Sequence, residues 1–193
     1  LDLAAQSEPL FNRGQRFQWV QQLGAEHDNL RVALAWACEH DPESAYQLAG
    51  LLRWFWYYSD YQLEASASYT RLHSLPKAGI SARSQALALL GEIMFTYYSS
   101  RQELEQVLAQ SQALWLEVGD NERLSEALLW IGDEILYRYP KEEICSYFAQ
   151  HETLLRQSAD PFVLAYALTD WGWALSLGGQ SFERARSLHA EAL

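Results

Sequence analysis

The sequence predicts an all-α protein in which helical hairpins stack into a solenoid. Three observations support this fold class: apolar residues recur at helical spacing along most of the chain, Pro, Gly and Asp separate the apolar runs, and one short pattern returns about every 40 residues. Apolar residues make up 49% of the 193-residue chain and aromatic residues 13%, which is enough for a continuous core.

The apolar period predicts nine helices after an irregular lead-in over residues 1–14. The helices are expected at about 15–40, 42–58, 61–75, 81–98, 101–118, 121–138, 141–158, 161–177 and from 181 onward. Asp41-Pro42 and Asp160-Pro161 mark two helix starts, because Asp accepts hydrogen bonds from unpaired backbone N–H groups and Pro has no N–H to leave unpaired. Ser100 and Glu103 form a predicted capping box.

A repeated pattern divides the chain into hairpins. Its three clear copies are Leu87-x-x-Leu90-Gly91, Leu128-x-x-Ile131-Gly132 and Leu168-x-x-Trp171-Gly172, with glycines 41 and 40 residues apart. A glycine inside a helix costs about 1 kcal/mol relative to alanine, so we expect a neighbouring helix to cross closely at each one. The predicted organisation is a lead-in and adaptor helix over 1–41 and repeats over 42–193, divided at about 42–80, 81–120, 121–160 and 161–193, the last truncated.

These hairpins resemble tetratricopeptide (TPR) repeats from about residue 44 to residue 193. The TPR pattern has Leu-Gly in its first helix, and a small residue followed four positions later by an aromatic residue in its second. The second-helix places are taken by three pairs, Leu104 with Leu108, Ile144 with Phe148 and Ala185 with His189. The period exceeds the usual value of about 34 residues. The resemblance therefore implies a right-handed α-α superhelix of lengthened, divergent TPR-like hairpins.

The preceding segment, from Phe17 to Trp36, carries a second resemblance. Its core, Glu-His-Asp-Asn-Leu-Arg-x-Ala-Leu-x-Trp from Glu26 to Trp36, is similar to a segment of MalT-like and LuxR- or SARP-type bacterial regulators of the STAND signal-transduction class. There it follows an NTPase module and a winged helix and opens a TPR-like array. The chain has no GxxxxGK[ST] motif, so the resemblance implies a sensor or scaffold arm without nucleotide chemistry. Because the chain starts at Leu1 and stops at Leu193 within a helical run, we expect a fragment of a longer polypeptide.

Composition excludes several partners. The net charge of −11 opposes binding to nucleic acid, and no run approaches the 18 apolar residues of a membrane span. No signal peptide opens the chain, and its two cysteines, Cys38 and Cys145, make no disulfide framework, so a cytoplasmic location is expected.

Chemical motifs do not predict an enzyme. The five histidines form no metal-binding motif with one another or with the cysteines, so neither a metal nor a cofactor is expected. The charged run from Glu26 to Arg31 suits either a catalytic cluster or a polar network that fixes how the first helix docks. An acid–base site would need a second carboxylate facing it, and the sequence does not point to one.

Aromatic side chains gather near the ends of the first helices. The five consecutive rings from Trp54 to Tyr58 cannot all face one core on a helix. The aromatic side chains therefore either pack between hairpins or form a binding patch for a ligand or peptide. The candidate patch consists of Trp54, Trp56, Tyr57, Tyr58, Tyr61, Tyr97, Tyr98, Tyr137 and Tyr139. Arg53, Arg101 and Arg138 lie beside these rings in the sequence and suit cation–π or carboxylate contacts.

The leading functional hypothesis is a non-catalytic sensor or interaction module of a larger bacterial signal-transducing ATPase or transcriptional regulator. Its partners would be the upstream NTPase and winged-helix domains of the same chain, another protein, or a small inducer. The alternative is a stand-alone TPR-like scaffold that binds partner peptides.

Overall fold

The computed structural model describes residues 1–11, 14–96, 98, 100–178 and 182–193, and every regular element among them is helical. The prediction of an all-α fold is therefore confirmed. The chain divides into two compact units, Leu1–Val118 and Gly119–Leu193. Each unit is built from helices that pack largely in chain order.

The first unit contains eight α-helices within the described residues. They are α1 (Asp2–Ser7), α2 (Arg16–Ala25), α3 (His27–His40), α4 (Pro42–Leu51), α5 (Arg53–Tyr58), α6 (Gln62–His73), α7 (Ala82–Phe95) and α8 (Arg101–Val118). A short 3-10 turn at Glu8–Leu10 follows α1. Helix α4 packs against both α3 and α7, and α6 covers α4, α5 and α7. Helix α8 packs against α7.

The second unit repeats this arrangement with four helices. They are α9 (Asn121–Leu136), α10 (Lys141–Arg156), α11 (Pro161–Gly178) and α12 (Phe182–Glu191). Helices α9 and α11 pack side by side, and α10 contacts both of them. Helix α12 packs against α11.

Three details of the predicted helices are wrong. The adaptor helix expected over 15–40 breaks at Glu26, where φ is −100° and ψ is 7°, and the Glu26 amide bonds back to the Leu23 carbonyl at 3.1 Å. The helix expected over 42–58 breaks at Leu52, between α4 and α5. The lead-in is not irregular, because it contains α1 and a 3-10 turn whose first positions accommodate Pro9.

Four first-helix starts share one capping arrangement. In each, a side-chain oxygen accepts a hydrogen bond from a backbone amide of the first turn, which satisfies a donor that the helix leaves unpaired. The capping residues are Asp41, Ser81, Asp120 and Asp160, spaced 40, 39 and 40 residues apart.

A glutamate near the start of one first helix also caps the start of the following first helix, which packs beside it. Glu43 of α4 accepts from the Ser81 amide at 2.8 Å, at the start of α7. Glu122 of α9 accepts from the Asp160 amide at 2.9 Å, at the start of α11. Both bonds span 38 residues of sequence, so the same device links neighbouring helices in each unit.

Hairpin-internal hydrogen bonds recur as well. The hydroxyl groups of Tyr46 and Ser125, each five residues after a capping aspartate, donate to the carbonyls of Leu72 and Leu154 near the ends of α6 and α10. In the opposite direction, two second-helix tyrosines donate to first-helix carbonyls at 2.8 Å, Tyr69 to Ala49 and Tyr147 to Leu128.

Four helical glycines, one each in α4, α7, α9 and α11, lie where another side chain or helix approaches the backbone. A Cβ atom on Gly132 would lie 3.0 Å from Phe148, and one on Gly172 would lie 2.8 Å from His189, each in the second helix of the same hairpin. On Gly91 it would lie 1.9 Å from the hydroxyl of Tyr69, which belongs to α6. Gly50 of α4 lies 41 residues before Gly91, and a Cβ there would lie 2.6 Å from the Leu87 backbone.

Candidate functional site

The structure buries the central rings of the predicted aromatic patch. Trp54 and Trp56 are each 1% exposed, and Phe55 between them is fully buried. Tyr57 and Tyr58 are half-buried at the edge of this cluster, and Phe11 stacks on Tyr58 with ring centroids 6.1 Å apart. These rings therefore belong mainly to the core of the first unit.

The remaining tyrosines of the candidate patch differ in exposure. Tyr61 is exposed and its ring lies 4.0 Å from that of His27, whereas Tyr98 is buried. Tyr97 lies outside the described residues. Tyr137 is 69% exposed and Tyr139 is half-buried, and both belong to the second unit.

The arginines beside these rings pair with carboxylates. Arg53 is fully buried, bonds to the carboxylate of Glu8 and to the Gly50 carbonyl, and lies 5.6 Å from the centre of the Trp54 ring. Arg101 pairs with Glu105 at 2.9 Å on the surface of α8. The buried pair ties the N-terminal turn to α5, which makes it a structural contact.

The Glu26–Arg31 run forms a polar network between α3 and α6. His27 Nε2 lies 2.9 Å from Glu64, and Arg31 Nε lies 3.4 Å from the same carboxylate. An open groove of about 560 Å³ runs beside this network and is lined by Arg31, Glu64 and Arg71. Burial raises the pKa of the Cys38 thiol, which also lines the groove, and that of the Cys145 thiol, so burial disfavours the reactive thiolate at both residues.

A different cluster lies where α9 packs against α11 in the second unit. Each helix carries one aromatic residue before an aspartate and one after it. The two aromatic residues are seven positions apart, so all three side chains lie along one stripe of the helix. We call this the acidic–aromatic face, and it consists of Trp130, Asp133 and Tyr137 on α9 and Tyr166, Asp170 and Trp173 on α11.

Contacts across the two helices hold the stripes in register. At one end the Trp130 and Tyr166 rings meet edge to face, 5.7 Å apart. The Tyr166 hydroxyl points to Asp133 Oδ1 at 3.5 Å, the long limit of a hydrogen bond. At the other end the exposed rings of Tyr137 and Trp173 meet edge to face at 6.1 Å. The two aspartates therefore lie between aromatic pairs.

The electrostatics of this face are unusual for a protein surface. Asp170 is only 6% exposed, and its Oδ2 atom has no hydrogen-bond partner. Burial, and secondarily the negative charge of Asp133, raise the pKa of Asp170 to about 7. Burial also raises the pKa of Asp133, although the Tyr166 hydroxyl acts in the opposite direction. Removing an unpaired carboxylate from water is costly, so burial favours the neutral form of Asp170, and a nearby cation would favour its ionised form.

Of the six residues of this face, only Tyr137 was predicted from the sequence; the other five were not. The signal that was available is the seven-residue spacing of aromatic residues around an aspartate in two successive first helices. It becomes meaningful only when α9 and α11 are known to be neighbours, because neither aspartate belongs to a motif within its own helix.

Two kinds of feature are absent from the described part of the chain. Within it, no three His, Cys, Asp or Glu side chains gather as a metal site would require. None of the helices described there combines the length and apolar character needed to cross a bilayer.

Comparison with family models, with curated proteins and with solved structures finds no match to this chain. The fold and the site therefore define it by architecture, as an all-α protein of sequentially packed helices with an acidic–aromatic face in its second unit.

Proposed function

We propose that the chain is a TPR-like helical-repeat module that binds other molecules and catalyses no reaction itself. The observation that carries this proposal is the recurring cap between neighbouring first helices, Glu43 to Ser81 and Glu122 to Asp160. A bond repeated at the same 38-residue span indicates that the chain adds one similar hairpin after another.

The packing order within each unit supports the same architecture. First helices pack on first helices, as α4 on α7 and α9 on α11. Each second helix also covers the following first helix, as α6 covers α7 and α10 covers α11. Right-handed superhelices of hairpins are assembled from these contacts, with a repeat that would here be about 40 residues long.

We place this module in the cytoplasm, within a larger bacterial signal-transducing ATPase or transcriptional regulator. The support is the resemblance of the Glu26–Trp36 segment, which here forms α3 and docks on α6 through Glu64. The partners would be NTPase and winged-helix domains of the same polypeptide, another protein or a small inducer. A ligand that favours one packing arrangement of the repeats would shift the population of active states.

The test begins with the reading frame on both sides of the codons for residues 1–193. The encoded neighbouring domains are expressed separately and mixed with this chain, and complex formation is followed by size-exclusion chromatography and by nucleotide hydrolysis. Co-elution with an NTPase domain, and a changed hydrolysis rate, are the expected results. A reading frame without a Walker motif would reject the regulator and leave the stand-alone scaffold, the alternative class.

A further inference from the structure

We propose that the acidic–aromatic face of α9 and α11 binds an organic cation, namely the guanidinium or ammonium group of an arginine or lysine side chain on a partner polypeptide. The inference deepens the proposed interaction module, on which it rests, by assigning the chemistry of one partner contact. It concerns residues of the second unit alone.

The geometry supplies both contacts that such a cation needs. Asp133 is half-buried and offers carboxylate oxygens beside the Tyr166 hydroxyl, where N–H groups of the ligand can donate. Tyr137 and Trp173 present exposed rings, 69% and 46% accessible, at the open end of the face. A planar guanidinium stacks on such rings while its edge faces a carboxylate.

Asp170 contributes through its charge from beneath the surface. Its unpaired Oδ2 is shielded from solvent, so the residue adds negative potential close to Asp133 and is not expected to touch the ligand. A bound cation near Asp170 compensates the negative charge of its carboxylate, which burial disfavours. Asp170 is therefore a positioning residue, and Asp133 is the contact residue.

Organic cations suit this site better than metal ions. Calcium and magnesium take six or more oxygen ligands, and the described residues gather no group of three metal-ligating side chains. Aromatic rings at the rim favour weakly hydrated cations over small, strongly hydrated ones. The net charge of −11 adds long-range attraction for a basic partner.

Cation binding is expected to release a proton from Asp170. The helices packed against α11 bring Asp133 and Tyr137 from α9, Cys145 from α10, and Arg184 and His189 from α12. Of these groups, Asp133 is the one whose charge affects the pKa of Asp170. A cation that binds at Asp133 is therefore expected to change the ionisation of Asp170. With a pKa of about 7, Asp170 should release about half a proton at pH 7 when a cation binds.

The probe is a basic pentapeptide with one central arginine, compared with the same peptide carrying citrulline, the neutral isostere of arginine. Isothermal titration of the 193-residue chain, in buffers of different ionisation enthalpy, measures affinity and proton release together. The arginine peptide is expected to bind at least about tenfold more tightly than the citrulline peptide, since a charge-assisted bond to a carboxylate is lost.

Variants then assign the site. Asp133→Asn should lower the affinity for the arginine peptide about tenfold. Asp170→Asn should lower the affinity less but abolish proton release. Asp60→Asn, on an exposed turn of the first unit, should change neither quantity. Circular dichroism verifies that each variant is folded. The citrulline comparison needs no variant and stays informative even if Asp133→Asn unfolds.

Equal affinity for the two peptides, or retained affinity in Asp133→Asn, would overturn the cation site. That result is distinct from failure of the proposed function, because co-elution with the neighbouring domains is measured separately and does not depend on the arginine probe.

Discussion

Replacing Gly50 by alanine tests the close packing of α4 against α7. A Cβ atom at this position would lie 2.6 Å from the Leu87 carbonyl carbon and 2.7 Å from its oxygen. Both distances are shorter than real Cβ contacts, and the atoms belong to the backbone of a helix. A side-chain end can rotate away from an added methyl group, whereas here α7 itself has to move.

Two opposing effects set the magnitude. Alanine favours a helix over glycine by about 1 kcal/mol, and overpacking a close contact costs typically about 1–3 kcal/mol. The backbone contact places Gly50 at the upper end of that range, so we expect a net destabilisation of about 2 kcal/mol. Gly24 is the matched control, because it is also helical and nothing lies within 4 Å of an added Cβ. Gly24→Ala should stabilise the chain by up to about 1 kcal/mol.

Urea unfolding, followed by far-UV circular dichroism, gives the free energy of unfolding of the two variants and of the parent chain. The two substitutions should move the midpoint in opposite directions. If Gly50→Ala raises stability as Gly24→Ala does, the close approach of α4 and α7 is wrong.

Three further substitutions probe the second unit. Because the pKa of Asp170 is raised from 3.8 to about 7 in the folded chain, the unfolded chain loses this proton first, and stability should fall between about pH 4 and pH 7 by roughly 1.4 kcal/mol per pH unit. Asp170→Asn should remove this component in urea titrations at several pH values, and an unchanged slope would contradict it. Glu122→Gln should cost about 1–2 kcal/mol, since three donors at the start of α11 lose a charged acceptor, and melts should show a larger loss than for exposed Glu183→Gln. Tyr147→Phe should cost about 1 kcal/mol in the same melts by removing the bond to the Leu128 carbonyl, and an unaltered midpoint would exclude that bond.

Much of the helical organisation follows from local sequence signals. The capping aspartates at 41, 120 and 160 fix helix starts, because a carboxylate paired with first-turn amides is a local interaction. The break at Leu52 had no such signal. It lies in a mainly apolar and aromatic stretch, with Gly50 two residues before the break and Arg53 directly after it. We therefore attribute the break to tertiary packing around α5, in which Arg53, Trp54, Phe55 and Trp56 are buried.

The aromatic block shows why the candidate site was harder to predict. A helix with five consecutive rings must have several neighbours if the rings are to be buried, and the lead-in was expected to be irregular. In the structure the lead-in supplies part of that cover: Phe11 stacks on Tyr58, and Glu8 pairs with the buried Arg53. The missing information was the fold of the first eleven residues, which has no strong helical pattern.

The glycines and the second-helix rings illustrate a limit of reading a repeat from its motif. In the second unit, a first-helix glycine faces a ring of the same hairpin, as Gly132 faces Phe148. Gly91 instead receives Tyr69 from α6, whose hydroxyl also donates to the Ala49 carbonyl of α4. This buried tyrosine needs the carbonyl to satisfy its hydroxyl and needs the glycine to make room for it. One side chain thus joins three helices, so the glycine's place is set by the preceding hairpin. For this chain, the period of the first helices identifies the positions that pack closely, whereas only the structure identifies which ring occupies each of them.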